Sequence, residues 1–216
     1  MSQSSNIKLT VSLLTIFMIV LVAGFVYRIQ QPRLLNEAEL KVNGLYLLET
    51  PRRFEQLNLV DHHGQPFERE SLIGHWTLIF FGFTYCPDIC PAALSFLNQF
   101  VSGLEPDQAA ATHVVMVSVD PARDSVEQLA SYVPFFNEDF LGVTGEFLDI
   151  HRFATALNTP FRKVPGEAGN YLVDHSANVV LVNPRGDYHG FFKSPLDLEK
   201  MNLTYTGAIA LWDDAH

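Results

Sequence analysis

The sequence predicts an α/β fold around a central sheet, and three observations carry that prediction. Residues 75–83 form a nearly continuous apolar run, His75-Trp76-Thr77-Leu78-Ile79-Phe80-Phe81-Gly82-Phe83, which reads as a strand buried on both faces. A second such run, 113–119, follows a stretch of helical spacing. A third, 178–183, ends at the turn Asn183-Pro184-Arg185-Gly186 and returns over 188–192 as its hairpin partner. With 216 residues, 48% hydrophobic and 18% charged, the chain has material for one globular core plus extra segments.

Taken in order, residues 1–8 form a short tail and 9–27 carry no charge between Lys8 and Arg28. At about 1.5 Å per residue that run reaches roughly 28 Å, close to a hydrocarbon core of about 30 Å, so a transmembrane anchor is expected over 9–28. Val22-Ala23-Gly24 is a weak match for a signal-peptide cleavage site, and no Cys follows to take a lipid, so the anchor is read as uncleaved. The count of Lys8 and the amino terminus against Arg28 and Arg33 leans against export of the domain. The short tail and the domain's chemistry are weighed above that count. Gln30-Gln31-Pro32 interrupts the helix, and 29–50 reads as a flexible linker to a domain of 51–216.

Residues 54–60 alternate loosely and end at Asp61-His62-His63-Gly64, the turn of an N-terminal β-hairpin. His62 and His63 are expected to be solvated there, with an accessory metal site as the alternative. After the first buried run, Pro91 suits the first turn of a helix striped by Leu94, Leu97, Val101 and Leu104. Asp124 or Ser125 caps the next helix, with Gln128 placed for a capping box. Another helix covers 146–157, with Phe147, Ile150, Ala154 and Leu157 on one face. Ser194-Pro195 opens a last helix carrying Leu196, Leu198, Glu199 and Met201. A strand-helix-strand unit followed by a helix and a hairpin is a thioredoxin-like layout.

The formal charge of −10 and the absence of a Lys/Arg cluster argue against a nucleic-acid partner. No Gly-rich phosphate loop is present. Only two Cys occur, Cys86 and Cys90, in Thr84-Tyr85-Cys86-Pro87-Asp88-Ile89-Cys90-Pro91. They lie where a buried strand gives way to a helix, a place that favours thiolates. One helical turn separates them, about 6 Å between Cα atoms, so they can close into a reversible disulfide or open to bind a metal. Two soft thiolates select Cu(I), with zinc as the competitor. No His lies within ten residues of the pair, which excludes a compact zinc finger. A third ligand must come from far along the chain. His175 is the best candidate, because the segment entering the 178–183 strand faces the cysteine turn in this layout.

Gly82-Phe83-Thr84-Tyr85-Cys86-Pro87-Asp88-Ile89-Cys90-Pro91 resembles the signature of the SCO/SenC family of copper chaperones. Val119-Asp120-Pro121-Ala122-Arg123-Asp124 and Val173-Asp174-His175-Ser176 resemble that family's second and third motifs, in the right order, and the resemblance covers roughly 54–203. It implies a thioredoxin-like domain anchored on the outer face of the bacterial inner membrane, in the periplasm. It implies copper held by Cys86, Cys90 and His175. It further implies a role in maturing the binuclear copper centre of cytochrome c oxidase, by delivering copper or by reducing cysteines of the target. The partner would be the oxidase's copper-bearing subunit or another copper chaperone. Asp120 and Asp124 fall in a family motif, with turn formation and helix capping as their expected roles. Residues 203–216, including His216, match nothing in the family pattern.

Two enzymatic readings compete with metal carriage. A thiol–disulfide oxidoreductase would use the same pair, with the more exposed Cys86 attacking. A peroxide-reducing enzyme would need an Arg and a Thr beside the reacting Cys. Thr84 is near, but no Arg is close to the pair in sequence.

Overall fold

A computed structural model describes residues 3–30, 35–54, 57–165 and 171–215, with side chains described from residue 10 to 26 of the first helix and up to 213. Its centre is an eight-stranded mixed sheet in the order β1-β10-β9-β4-β5-β6-β2-β3. The strands are β1 (Leu45–Arg52), β2 (Leu59–Asp61), β3 (Pro66–Phe67), β4 (Trp76–Gly82), β5 (Thr112–Ser118), β6 (Leu141–Gly145), β9 (Val179–Val182) and β10 (Tyr188–Phe192). Among the described residues, β7 (Phe161–Pro165) and β8 (Tyr171–His175) pair with each other alone, as a separate antiparallel ribbon.

The predicted central run is β4, and all seven of its residues are buried. It pairs in parallel with β5 and antiparallel with β9. β5 in turn pairs in parallel with β6. Side chains alternate across a strand, so Trp76, Leu78, Phe80 and Gly82 share one face, and Thr77, Ile79 and Phe81 the other. On the first face lie α3 (Ile89–Ser102), α5 (Val126–Tyr132) and α7 (Leu198–Ala215). Their placement follows from contacts: Cys90 Sγ is against Gly82, Val133 and Leu129 are against Gly142, and Trp76 meets Tyr205 edge-on at 6.3 Å. α6 (Phe147–Ala156) covers the opposite face, where Phe153 meets Phe81 at 5.7 Å. β4, α3, β5, α5 and β6 step twice in the same direction, and same-handed crossovers then put both helices on one face.

The thioredoxin-like expectation agrees with this layout, with several corrections. Residues 35–50 do not behave as a tether. Asn36 caps α2 (Glu37–Val42) through a reciprocal bond pair with Glu39, and Leu40 is buried. β1 then forms the edge of the main sheet against β10. This segment has weak periodicity because its apolar mates come from the far end of the chain: Leu35 and Leu40 pack on Gly207 of α7. The N-terminal hairpin exists but is short, and its first strand starts at Leu59. β6 and the β7–β8 ribbon have no counterpart in the sequence expectation. The last helix runs on to Ala215, so the segment that matched nothing is a packed helix with Met201, Tyr205 and Ala208 in the core. His216 lies outside the described residues.

α1 (Gln3–Gln30) is helical through the expected anchor, and its described apolar side chains from Val11 to Val26 are exposed. Among the described residues, no helix is long and apolar enough to cross a membrane. The charged flanks Lys8, Arg28 and Arg33 lie outside the described side chains.

Candidate metal centre

β4 is buried to its end, and the chain leaves it at Gly82 directly into the cysteine turn. Cys86 is half-buried in that turn and Cys90 is fully buried in the first turn of α3. Gly82 is required there: a Cβ would lie 3.0 Å from Cys90 Sγ and 2.7 Å from a ring carbon of Phe80. Gly82→Ala is therefore expected to cost about 1–3 kcal/mol by overpacking and to push the Cys90 sulfur out of place. Chemical denaturation together with copper affinity measures both effects. An alanine variant with unchanged affinity would show that the glycine has no part in seating the sulfur.

His175 is the last residue of β8, a strand rather than the loop expected. The ribbon delivers its imidazole to the cysteines. Nε2 stands 3.5 Å from Cys90 Sγ, and the three donor atoms of Cys86, Cys90 and His175 lie within 4.8 Å of one another. Among the described residues this is the sole such group of three. Nδ1 lies 3.1 Å from the carbonyl oxygen of Ser176, which can only accept. Nδ1 thus carries the proton and Nε2 keeps its lone pair toward the sulfurs, and the bond to the carbonyl fixes the orientation of the ring. The rings of Phe80 and Phe83 meet the imidazole edge-on at 5.8 and 5.9 Å and hold its plane.

Burial decides the protonation of these groups. It pushes the His175 imidazole below its ordinary value, so the ring is neutral at pH 7. It pushes the Cys90 thiol well up, while a backbone hydrogen bond at Phe83 pulls weakly the other way. The expectation of an activated thiolate at both positions therefore fails at Cys90, where loss of water outweighs the helix terminus. The protonated thiol points at the Nε2 lone pair, which explains the short contact.

The two thiols are free, so the expected Cys86–Cys90 disulfide is not formed; the backbone N–H of Cys90 instead donates to Cys86 Sγ at 3.4 Å. A bond of about 2.3 Å from metal to sulfur lets two donors on one ion stand up to about 4.6 Å apart. The observed spread fits one ion after a closure of tenths of an ångström. The donor set, two thiolates and an imidazole, suits a soft cation.

The acidic residues of the second motif support the centre without joining it. Asp124 does not cap α5; Ser125 does, accepting from the N–H of Gln128. Nor does the Gln128 side chain close a capping box, because it donates to Thr84 Oγ1 at 3.2 Å. Asp124 is buried and accepts from Thr84 N–H at 3.1 Å, Thr84 O–H at 2.7 Å and Ser118 O–H at 2.6 Å. It thereby ties the cysteine turn to the end of β5. Asp120 is also buried and pairs with Arg123. Arg123 stacks over Tyr171, Tyr85 and Phe83, so the fold does bring an arginine beside the turn that sequence distance had excluded. Thr84 donates its O–H to Asp124, so the threonine that a peroxide-reducing site would need is already engaged.

His62 departs from its expected solvated role. It is buried, and its Nδ1 accepts the N–H of Gly142 at 2.8 Å, while His63 is exposed. The pair belongs to no group of three ligands among the described residues. Sequence reasoning missed Thr84, Ser118, Arg123 and Tyr171 as parts of the site. All but Tyr171 lie within or beside motifs it had singled out.

The sequence model of the SCO1/SenC family matches residues 49–207. A protein of Stutzerimonas stutzeri named for copper binding is 40% identical over 153 residues, covering 71% of this chain and 75% of its own. A mitochondrial SCO2 homolog of Danio rerio is 37% identical, covering 63% of this chain. The chain spans about half the length of that mitochondrial relative, 51%. Among solved structures, Arabidopsis thaliana ScoI with copper bound is similar at 30% identity and a TM-score of 0.69, over 73% of this chain and 98% of the other.

Proposed function

The chain belongs to the SCO1/SenC family, and from that premise we propose that it carries copper on Cys86, Cys90 and His175 for maturation of the binuclear copper centre of cytochrome c oxidase. The observation that carries this reading is the convergence of two sulfurs and one imidazole nitrogen within 4.8 Å. Two sulfur donors favour Cu(I) over harder cations, with zinc as the competitor. Support also comes from the copper-bound plant relative and from the bacterial relative named for copper binding.

The geometry accounts for both holding and release. Cys90 is sealed in the core and fixes one side of the ion. Cys86 is half-buried between the exposed side chains of Tyr85 and Ile89, so ligands of a partner can approach from that side and replace it first. The reduced protein is expected to take up one Cu(I) per chain in a chelator competition; failure to bind at equimolar copper would overturn the proposal.

The pH dependence has a definite sign. Copper must displace the proton of Cys90, whose thiol is held well above its ordinary value and is protonated at neutral pH. Loading through this residue should release one proton, so affinity rises by at least about tenfold per pH unit between about pH 6 and about pH 8. His175 works in the same direction, since copper needs the neutral ring and burial holds the imidazole below its ordinary value. Chelator competition across that range checks the slope. A flat profile would mean that Cys90 binds no copper or is already ionised.

The domain is proposed to stand on the periplasmic side of the bacterial inner membrane, held by residues 9–28. Support comes from the uncharged run between Lys8 and Arg28. Removing residues 1–28 should move the protein from the membrane fraction to the soluble one. The target is proposed to be the oxidase's copper-bearing subunit or another copper chaperone.

A second reading, reduction of a target disulfide, is favoured by one observation: both thiols are free and Cys86 is the more exposed. Turnover of a disulfide substrate without copper, retained in a His175→Ala variant, is the result that would select it.

A further inference from the structure

We infer that Tyr171, Asp120 and Arg123 form a latch that aims His175 at the cysteines, so that Tyr171 is a positioning residue of the metal centre. The inference rests on the copper-carrier reading above and deepens it. It begins from the topology. His175 sits on β8, and among the described residues β8 pairs with β7 alone, with no ladder to the main sheet whose strand β4 leads into the cysteine turn. Something other than sheet hydrogen bonding must fix where the ribbon lies.

Strand geometry shows what does. Tyr171, Val173 and His175 fall on one face of β8, while Leu172 and Asp174 point away and are exposed. The inward face therefore carries an anchor at each position before the ligand. Val173 is buried in the core. Tyr171 donates its O–H to Asp120 Oδ1 at 2.7 Å, and its ring lies 3.9 Å from the Arg123 guanidinium. Arg123 closes the set by pairing with the buried Asp120. Its guanidinium also lies 5.0 Å from the ring of Tyr85, the neighbour of Cys86. Lys163 on the partner strand β7 adds a contact to Asp120 at 3.7 Å and lies 4.4 Å from the Tyr171 ring.

One buried carboxylate thus pins both strands of the ribbon to the loop after β5. The same arginine touches the cysteine turn. A strand of five residues is stiff, so fixing residues 171 and 173 sets the direction of residue 175. Phe161 of β7 meets Phe147 and His151 of α6 at 5.8 Å and packs against the core, which adds apolar contact but no charge.

Tyr171→Phe is the informative variant, because it removes the O–H and keeps the ring against Arg123. In the metal-free protein, amide hydrogen exchange at residues 172–175 should quicken while β4 and β5 stay protected. In Cu(I) competition the variant should bind about tenfold more weakly, the lower end of the range for outer partners of a metal site. A latch acts through His175, so the same change in a His175→Ala background should cost nothing further. Equal losses in both backgrounds would overturn the latch, as would unchanged exchange and affinity in the single variant. If the wild type binds no copper, the carrier reading fails, and the exchange measurement still judges the latch alone.

Discussion

Replacing His175 by Ala is expected to weaken Cu(I) binding by more than about 100-fold, beyond the span that outer partners of a metal site carry. The change removes one of three donors and, among the described residues, leaves the two sulfurs in no other group of three ligands. Asp120 and Asp124 are committed to Arg123, Tyr171, Thr84 and Ser118, and neither belongs to the donor group. The fold should survive. The ring packs edge-on against Phe80 and Phe83 but is not part of the sealed core, so the cost in stability is on the order of 1 kcal/mol. Chelator competition and denaturant unfolding on the same preparation separate the two effects. Affinity equal to wild type would remove His175 from the ligand set.

Oxidising Cys86 and Cys90 to a disulfide is expected to abolish copper binding and to do so reversibly. Closing the bridge joins the two sulfurs, releases two protons and passes two electrons to the oxidant. No thiolate is then left, and one imidazole does not hold Cu(I) against a thiol-based competitor. The free thiols of the structure are the reduced, binding-competent form. Residues one turn apart at a helix start meet the Cα separation a bridge requires, about 4.4–6.8 Å. Copper stoichiometry would be measured before oxidation, after it, and after reduction again. A protein that keeps one copper per chain when oxidised would sever the link between redox state and loading. The burial that protonates Cys90 also makes Cys86 the entry point for the oxidant or for a partner's thiol.

The parts of the site legible in the sequence are those where local pattern and chemistry coincide. A fully apolar run has one interpretation, a strand covered on both sides, and β4 is that strand. A Cys pair at its end, each Cys followed by Pro, has few roles other than thiol chemistry. The parts that were not legible depend on distant partners. β1 reads as a linker because its apolar residues are scattered, and they become an edge strand only when β10 offers a ladder. Asp124 reads as a helix cap because Asp caps helices well. The adjacent Ser125 takes that place, and the carboxylate turns inward to Thr84 and Ser118. Arg123 looks remote from Cys86 in sequence, yet the loop after β5 lies beside the cysteine turn because β4 and β5 are parallel neighbours.

The sequence by itself determined the chemistry of this protein: which atoms are soft donors, how many there are, and that two of them share one turn at the mouth of a buried strand. Side-chain identity and short-range spacing are enough for that. Tertiary structure alone decided that the His175 nitrogen and the two sulfurs stand within 4.8 Å of one another, what state the inner thiol holds, and what packs against the ribbon that carries the imidazole. Those outcomes depend on loss of water and on contacts between segments up to 85 residues apart, as Cys90 and His175 are, and no local pattern encodes either.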